Sequence, residues 1–230
     1  MTDRIIKYGL LLLNGLLYLC FLLADLGLVF SFAGPAFSSI LKYISICSVF
    51  AGAVYLEIKK KTVQTRILCA ALAFTVFADY FLLFTEDMLP GLCSFCIVQI
   101  FYMYLTDVRF GIKKQRLGLS ALIALGIFLL IWMIIRNFRG APEPMLIAIV
   151  VFYAVLFVSN IILCIKIRHF DRFTIGMLLF FACDINVLLY NLPLFFSLGE
   201  GFRFFCLNIA AFLMWFFYLP GKILIVSSEL

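Results

Sequence analysis

Eight apolar runs divide this chain almost from end to end, each bounded by charged or turn-forming residues. They cover residues 8–32, 37–56, 64–84, 90–106, 117–135, 144–165, 173–192 and 202–226. Crossing the hydrocarbon core of a bilayer takes about 20 consecutive apolar residues in a helix; most of the runs meet that length and the fourth is marginal. Lipid offers the backbone no hydrogen-bond partners, so spanning segments must be helices or closed barrels, and barrel strands would be half as long. The chain is 66% hydrophobic and 13% charged, against about 45–50% and about 25% for soluble domains. No soluble core of this size could hide so much apolar surface. The expectation is an all-α polytopic membrane protein: one integral domain over residues 1–230, with eight transmembrane helices in one bundle.

Charge orients the bundle. With an even number of spans, both termini share a side with the connections at 57–64, 107–116 and 166–172. That side holds fourteen basic residues: Arg4, Lys7, Lys59, Lys60, Lys61, Arg66, Arg109, Lys113, Lys114, Arg116, Lys166, Arg168, Arg172 and Lys222. The other side holds three, Arg136, Arg139 and Arg203, and Lys42 lies within a run. By the positive-inside rule the N- and C-termini are cytoplasmic, in a plasma or inner membrane. The net charge of +6 then reflects topology and contact with anionic lipid, with no call for nucleic acid as a partner. Asp3, Arg4 and Lys7 ahead of an apolar run resemble the start of a signal peptide, but the run continues to about Phe32 without a small-residue cleavage site. It reads as a retained first span.

Two carboxylates stand out against this apolar background. Asp79 and Asp184 each lie alone inside a run, where insertion scales put the cost of a charge at about 2.5–3.5 kcal/mol. An interhelical hydrogen bond returns only about 0.6 kcal/mol, so packing is a poor reason to keep them. The depth of each, taken along a helix, points to one shared polar site. Asp25, Lys42, Gln99, Tyr102 and Asn186 fall at nearby or more outward levels, with Asn191 and Asn208. Asp25 and Lys42, close to an interface, read equally well as a structural ion pair. Superposing Asp79 on Asp184 also brings Gly91, Phe95 and Cys96 near Gly201, Phe205 and Cys206, which raises the expectation of a parallel repeat of four plus four spans.

Other constellations carry less. Six of the eight cysteines lie well inside runs, where Cys behaves as a small hydrophobe, and only Cys93 and Cys96 lie near a boundary. Cys93 and Cys96 form a CxxC pair, but zinc would need two further ligands, and the lone His169 sits in a basic loop on the other side. Helix packing is the favoured reading of that pair over redox activity. There is no Gly-rich phosphate loop, GxSxG elbow or HExxH pattern. Neither a metal nor an organic cofactor is expected.

The stretch Phe77-Ala78-Asp79-Tyr80-Phe81-Leu82-Leu83, followed by Gly91, Phe95, Gln99 and Tyr102, resembles the YhhN-like lysoplasmalogenase family. So do Lys42 in Ile40-Leu41-Lys42-Tyr43, the second aspartate motif Phe181-Ala182-Cys183-Asp184, and the aromatic last run Trp215-Phe216-Phe217-Tyr218-Leu219-Pro220-Gly221. Ala78, Cys183, Gln99 and Gly221 stand where glycine, serine, histidine and glutamine are usual. Replacing the histidine removes a group that would titrate near neutral pH.

What the resemblance implies is hydrolysis of the vinyl-ether bond of a lysoplasmalogen, a lysophospholipid, releasing a fatty aldehyde. Two carboxyls suit that chemistry. Protonation of the vinyl-ether carbon gives an oxocarbenium-like ion, to which water must be delivered. Asp184 is assigned as acid and Asp79 as base, with Lys42 pairing an aspartate or meeting the phosphate. A competing class is a membrane transporter or lipid-binding protein that uses the same aspartates for cations or protons. The charge asymmetry makes one direct prediction: a cysteine placed at Lys59, Lys60 or Lys61 should react only with reagent on the cytoplasmic face. Labelling from outside would invert the topology.

Overall fold

The computed structural model describes residues 2–28, 34–85, 87–110, 144–194 and 198–229, with 125, 126, 129 and 133. Every regular element among them is helical. The long helices are α1 (Thr2–Asp25), α2 (Gly34–Lys60), α3 (Val63–Thr85), α4 (Met88–Phe110), α5 (Pro144–Arg168), α6 (Arg172–Asn191) and α7 (Glu200–Ser227). All seven are long and apolar enough to cross a membrane. This is an all-α membrane protein. The expected span 117–135 lies outside the described residues apart from 125, 126, 129 and 133.

Polar residues bound several of these helices where the apolar runs stop. Thr62 opens α3 with a reciprocal box: its hydroxyl accepts from Thr65 N at 3.2 Å, and Thr62 N donates to Thr65 Oγ1 at 3.1 Å. Asp171 opens α6 by accepting from Thr174 N at 2.8 Å. Lys61 and His169, at φ 49° and 54°, take the left-handed conformation that turns a chain out of a helix. Both fall in the basic connections that the charge pattern marks.

The fourth span is longer than its apolar run implies, 23 residues in place of 17. Pro90 sits in the first turn of α4, where its missing N–H is harmless. Asp107 and Arg109 extend the last turn instead of leaving it. Gln99 is therefore eleven residues from either end of α4 (Met88 and Phe110), about 16 Å in, and not on its outer part.

The helices group into two compact units, Met1–Gly52 with Phe170–Leu230, and Ala53–His169. In the first, α6 and α7 cross at two glycines. A Cβ on Gly176 would stand 2.7 Å from the Gly221 carbonyl, and one on Gly221 would stand 2.9 Å from the Gly176 carbonyl, so only glycine allows this approach. Beside that crossing Pro220 interrupts α7. Proline has no N–H to give the carbonyl four residues back, that of Phe216. The Tyr18 hydroxyl of α1 supplies the donor at 2.8 Å. Ser48 of α2 donates to Asn14 of α1 at 2.7 Å, joining the first two helices.

In the second unit α3 packs on α4 and α4 on α5. Gly91 admits α3 closely: a Cβ there would lie 2.9 Å from the Leu82 side chain and 3.4 Å from the Ala78 carbonyl. Its counterpart in the expected repeat, Gly201, has nothing within 4 Å. The correspondence of Gly91 with Gly201 therefore does not extend to packing.

The bond from Tyr18 to the carbonyl exposed by Pro220 is testable. Tyr18→Phe should cost about 1–3 kcal/mol, because a carbonyl is left without a donor. In a Pro220→Ala background the restored N–H takes over, and the same substitution should cost much less. Equal costs in both backgrounds, read by unfolding in detergent, would disprove the link.

Candidate functional site

The second unit holds a buried polar cluster on α3, α4 and α5. Asp79 is 4% exposed and Thr75, Gln99, Tyr102 and Asn160 are fully buried. Gln99 and Tyr102 are three residues apart, on the face of α4 that also carries Gly91, Phe95 and Val98. The Tyr102 side chain lies beside Thr75 and Asp79 of α3. Thr75 itself donates to the Ala71 carbonyl at 3.0 Å. Two residues beyond Asp79, α3 widens into a π-turn at Phe81–Thr85, a distortion that recurs at functional sites.

Asn160 is a residue that the sequence reading missed. Its Nδ2 donates to Gln99 Oε1 at 3.1 Å, and its Oδ1 accepts from the Cys164 thiol at 3.6 Å. The signal was present: α5 is the most apolar of the candidate spans, and an amide in its interior has few reasons to be there.

The first unit holds Asp184, Asp25, Lys42 and Asn186. Lys42 Nζ contacts both carboxylate oxygens of Asp25, at 3.0 and 2.8 Å, and Ser38 donates to Oδ1 at 2.5 Å. The two side chains are 12% and 17% exposed, and the pair is formed. The Lys42 ammonium also lies 5.3 Å from the Trp215 ring centre. From Trp215 a run of ring contacts passes through Tyr218 (5.1 Å) to Phe180 (5.6 Å). At its end Lys222 stands 3.4 Å over the Phe180 ring.

Lys222 departs from expectation. The charge tally counts it on the cytoplasmic side, near the end of the run 202–226, yet it is fully buried. It follows the glycine crossing directly and sits five residues before the end of α7 at Ser227. The apolar run that continues after it, Ile-Leu-Ile-Val, was the available signal.

Asp184 is half-buried, one turn beyond Phe180 on α6. Asn186, two residues on, lies about 200° around the helix and so does not share its face. The Asn186 amide donates to its own helix, at the Ala182 carbonyl (2.7 Å). Asn191 and Asn208 do likewise, to Val187 (2.8 Å) and Phe204 (3.0 Å). These three amides answer local backbone groups. Asp79 is six residues before the end of α3 at Thr85, and Asp184 seven before the end of α6 at Asn191, about 9–10 Å along each helix. The two aspartates belong to different units.

None of the eight cysteines is in a disulfide, with Cys93 exposed and Cys96 buried. Among the described residues no three His, Cys, Asp or Glu side chains gather as metal ligands would.

Residues 37–229 match the model of the YhhN family. The chain belongs to the YhhN family. No curated protein and no solved structure matches it. The YhhN match takes in Lys42, Asp79, Gln99, Tyr102, Asn160, Asp184 and Lys222, and leaves Asp25 outside. Asp25 is thus the partner that this chain's first helix brings to a lysine within the YhhN region. A double-mutant cycle on Asp25→Asn and Lys42→Met should show a coupling of about 1–3 kcal/mol in thermal unfolding, as contacting charges do. Additive effects would deny the pair a structural role.

Proposed function

We propose that this chain is a membrane-embedded hydrolase that cleaves the vinyl-ether bond of lysoplasmalogen-type lysophospholipids. The observation that carries the reading is Asp79, almost wholly buried in an apolar helix with Tyr102 and Thr75 beside it. A carboxyl there is costly to keep, and membership of the YhhN family supports lipid ether chemistry over a purely structural use. Asp184, the second intramembrane carboxyl, completes the acid and base that the reaction needs.

In the proposed reaction Asp184 protonates the vinyl-ether carbon, and the ether oxygen shares its lone pair to spread the resulting charge. Asp79, with Tyr102 beside it, stabilises that cation and takes a proton from the attacking water. The hemiacetal then loses its hydroxyl proton as its bond to the glyceryl oxygen breaks and that oxygen takes up a proton, releasing the fatty aldehyde and the glycerophospho-head group. This reading requires both carboxyls to act on one substrate, and it retains the cytoplasmic termini and plasma or inner membrane inferred from charge.

Aldehyde release by purified protein tests it. Asp79→Asn and Asp184→Asn should each lower turnover about 10²–10⁴-fold, the usual contribution of an acid–base group, with unchanged melting in detergent. Cys93→Ser should leave turnover intact. Near-wild-type hydrolysis by either aspartate variant would defeat the two-carboxyl mechanism. Absence of hydrolysis by the wild type on any lysoplasmalogen would favour transport or lipid binding.

A further inference from the structure

The two polar ends of the Gln99 amide have different fates. Oε1 accepts from Asn160 Nδ2 at 3.1 Å. That same Asn160 nitrogen lies 3.5 Å from the Gln99 backbone carbonyl. A backbone carbonyl can only accept, so the Asn160 atom that faces it is the nitrogen. The Cys164 thiol at Asn160 Oδ1 agrees with that orientation. Asn160 therefore fixes which way the Gln99 amide points.

Gln99 Nε2 is left buried with no hydrogen-bond partner. Native structures rarely keep such a donor unless something outside the protein answers it. It stands mid-helix in an apolar span, one turn from Tyr102, which lies beside Asp79. A clamped neutral N–H at this place suits an uncharged oxygen. A phosphate would call for a cation.

A lysoplasmalogen offers two kinds of uncharged oxygen near its reacting bond. The vinyl-ether oxygen is a poor choice, since its lone pair must stabilise the cation and a donor there would withdraw it. The free hydroxyl on the adjacent glycerol carbon has no such conflict. We propose that Gln99 Nε2 donates to the free glycerol hydroxyl of the lysophospholipid, with Asn160 as the residue that positions it. Gln99 is then a specificity residue for lipids that lack a second acyl chain. This rests on the lysophospholipid reading of the site.

The test separates that reading from the inference. Two hydrolysis-inert ligands are compared for binding to the purified chain in detergent: a saturated alkyl-ether lysophospholipid, and its analogue with hydrogen in place of the free hydroxyl. Wild type should bind the hydroxyl ligand about 5- to 10-fold more tightly, the usual effect of one neutral hydrogen bond. Gln99→Leu should bind both equally, Asn160→Leu should lose most of the preference, and Cys93→Ser should retain it. No preference in the wild type, a preference that survives Gln99→Leu, or no binding of either ligand would overturn the proposal. Aldehyde release is measured separately on the same preparations. Hydroxyl discrimination without hydrolysis would sink the enzymatic reading and leave the binding role of Gln99 standing.

Discussion

A hydrogen-bonding group in hydrocarbon must find its partner within the protein, and this constraint governs the arrangement of helices in both units. It is clearest at Pro220. The proline opens one rung of α7 and exposes the Phe216 carbonyl. Tyr18 closes it from α1, tying the first helix to the last. Immediately after the opened rung, Gly221 lets α6 approach to backbone contact. Lys222 follows, held on the face of Phe180. One break in a helical ladder is thus joined to an interhelical bond, a close crossing and a buried cation.

The same constraint sorts the remaining polar residues into two kinds. Thr75, Ser94, Thr106, Asn186, Asn191 and Asn208 donate to a carbonyl four residues earlier on their own helix, as such side chains commonly do in apolar spans. They are satisfied at home. Lys42 with Asp25 and Gln99 with Asn160 reach another helix instead, and Asn14 does both, donating to Leu10 on its own helix and accepting from Ser48 on the next. Lys42, Asp25 and Gln99, three of the candidate binding residues, belong to the second kind, each held by a partner that it does not share a helix with.

This division explains how far the sequence could be read. Hydropathy located the seven described spans because each is a continuous apolar run, whereas the caps at Thr62 and Asp171 emerge only from the structure. Asp79 and the pairing of Asp25 with Lys42 were legible because a charge in lipid has to be answered. Asn186 was read by its level along the helix, and its angle around the helix sets it away from Asp184. Lys222 was counted on the cytoplasmic side because a lysine near the end of a span usually reaches for water, and the glycine crossing that buries it is a property of two helices at once. Asn160 was missed for a related reason: a single amide carries little cost on a hydropathy scale, and its importance lies in what faces it.

The crossing at Gly176 and Gly221 limits how this sequence can drift. Each glycine's missing side chain is the space occupied by the other's backbone. A larger residue at either position cannot be compensated by a smaller one opposite, because nothing is smaller than glycine. Relief can come only from separating the two helices, and separation would lift Lys222 from the Phe180 ring. Descendants of this chain should therefore keep both glycines together with the buried lysine and its aromatic partner, or lose all four as a set.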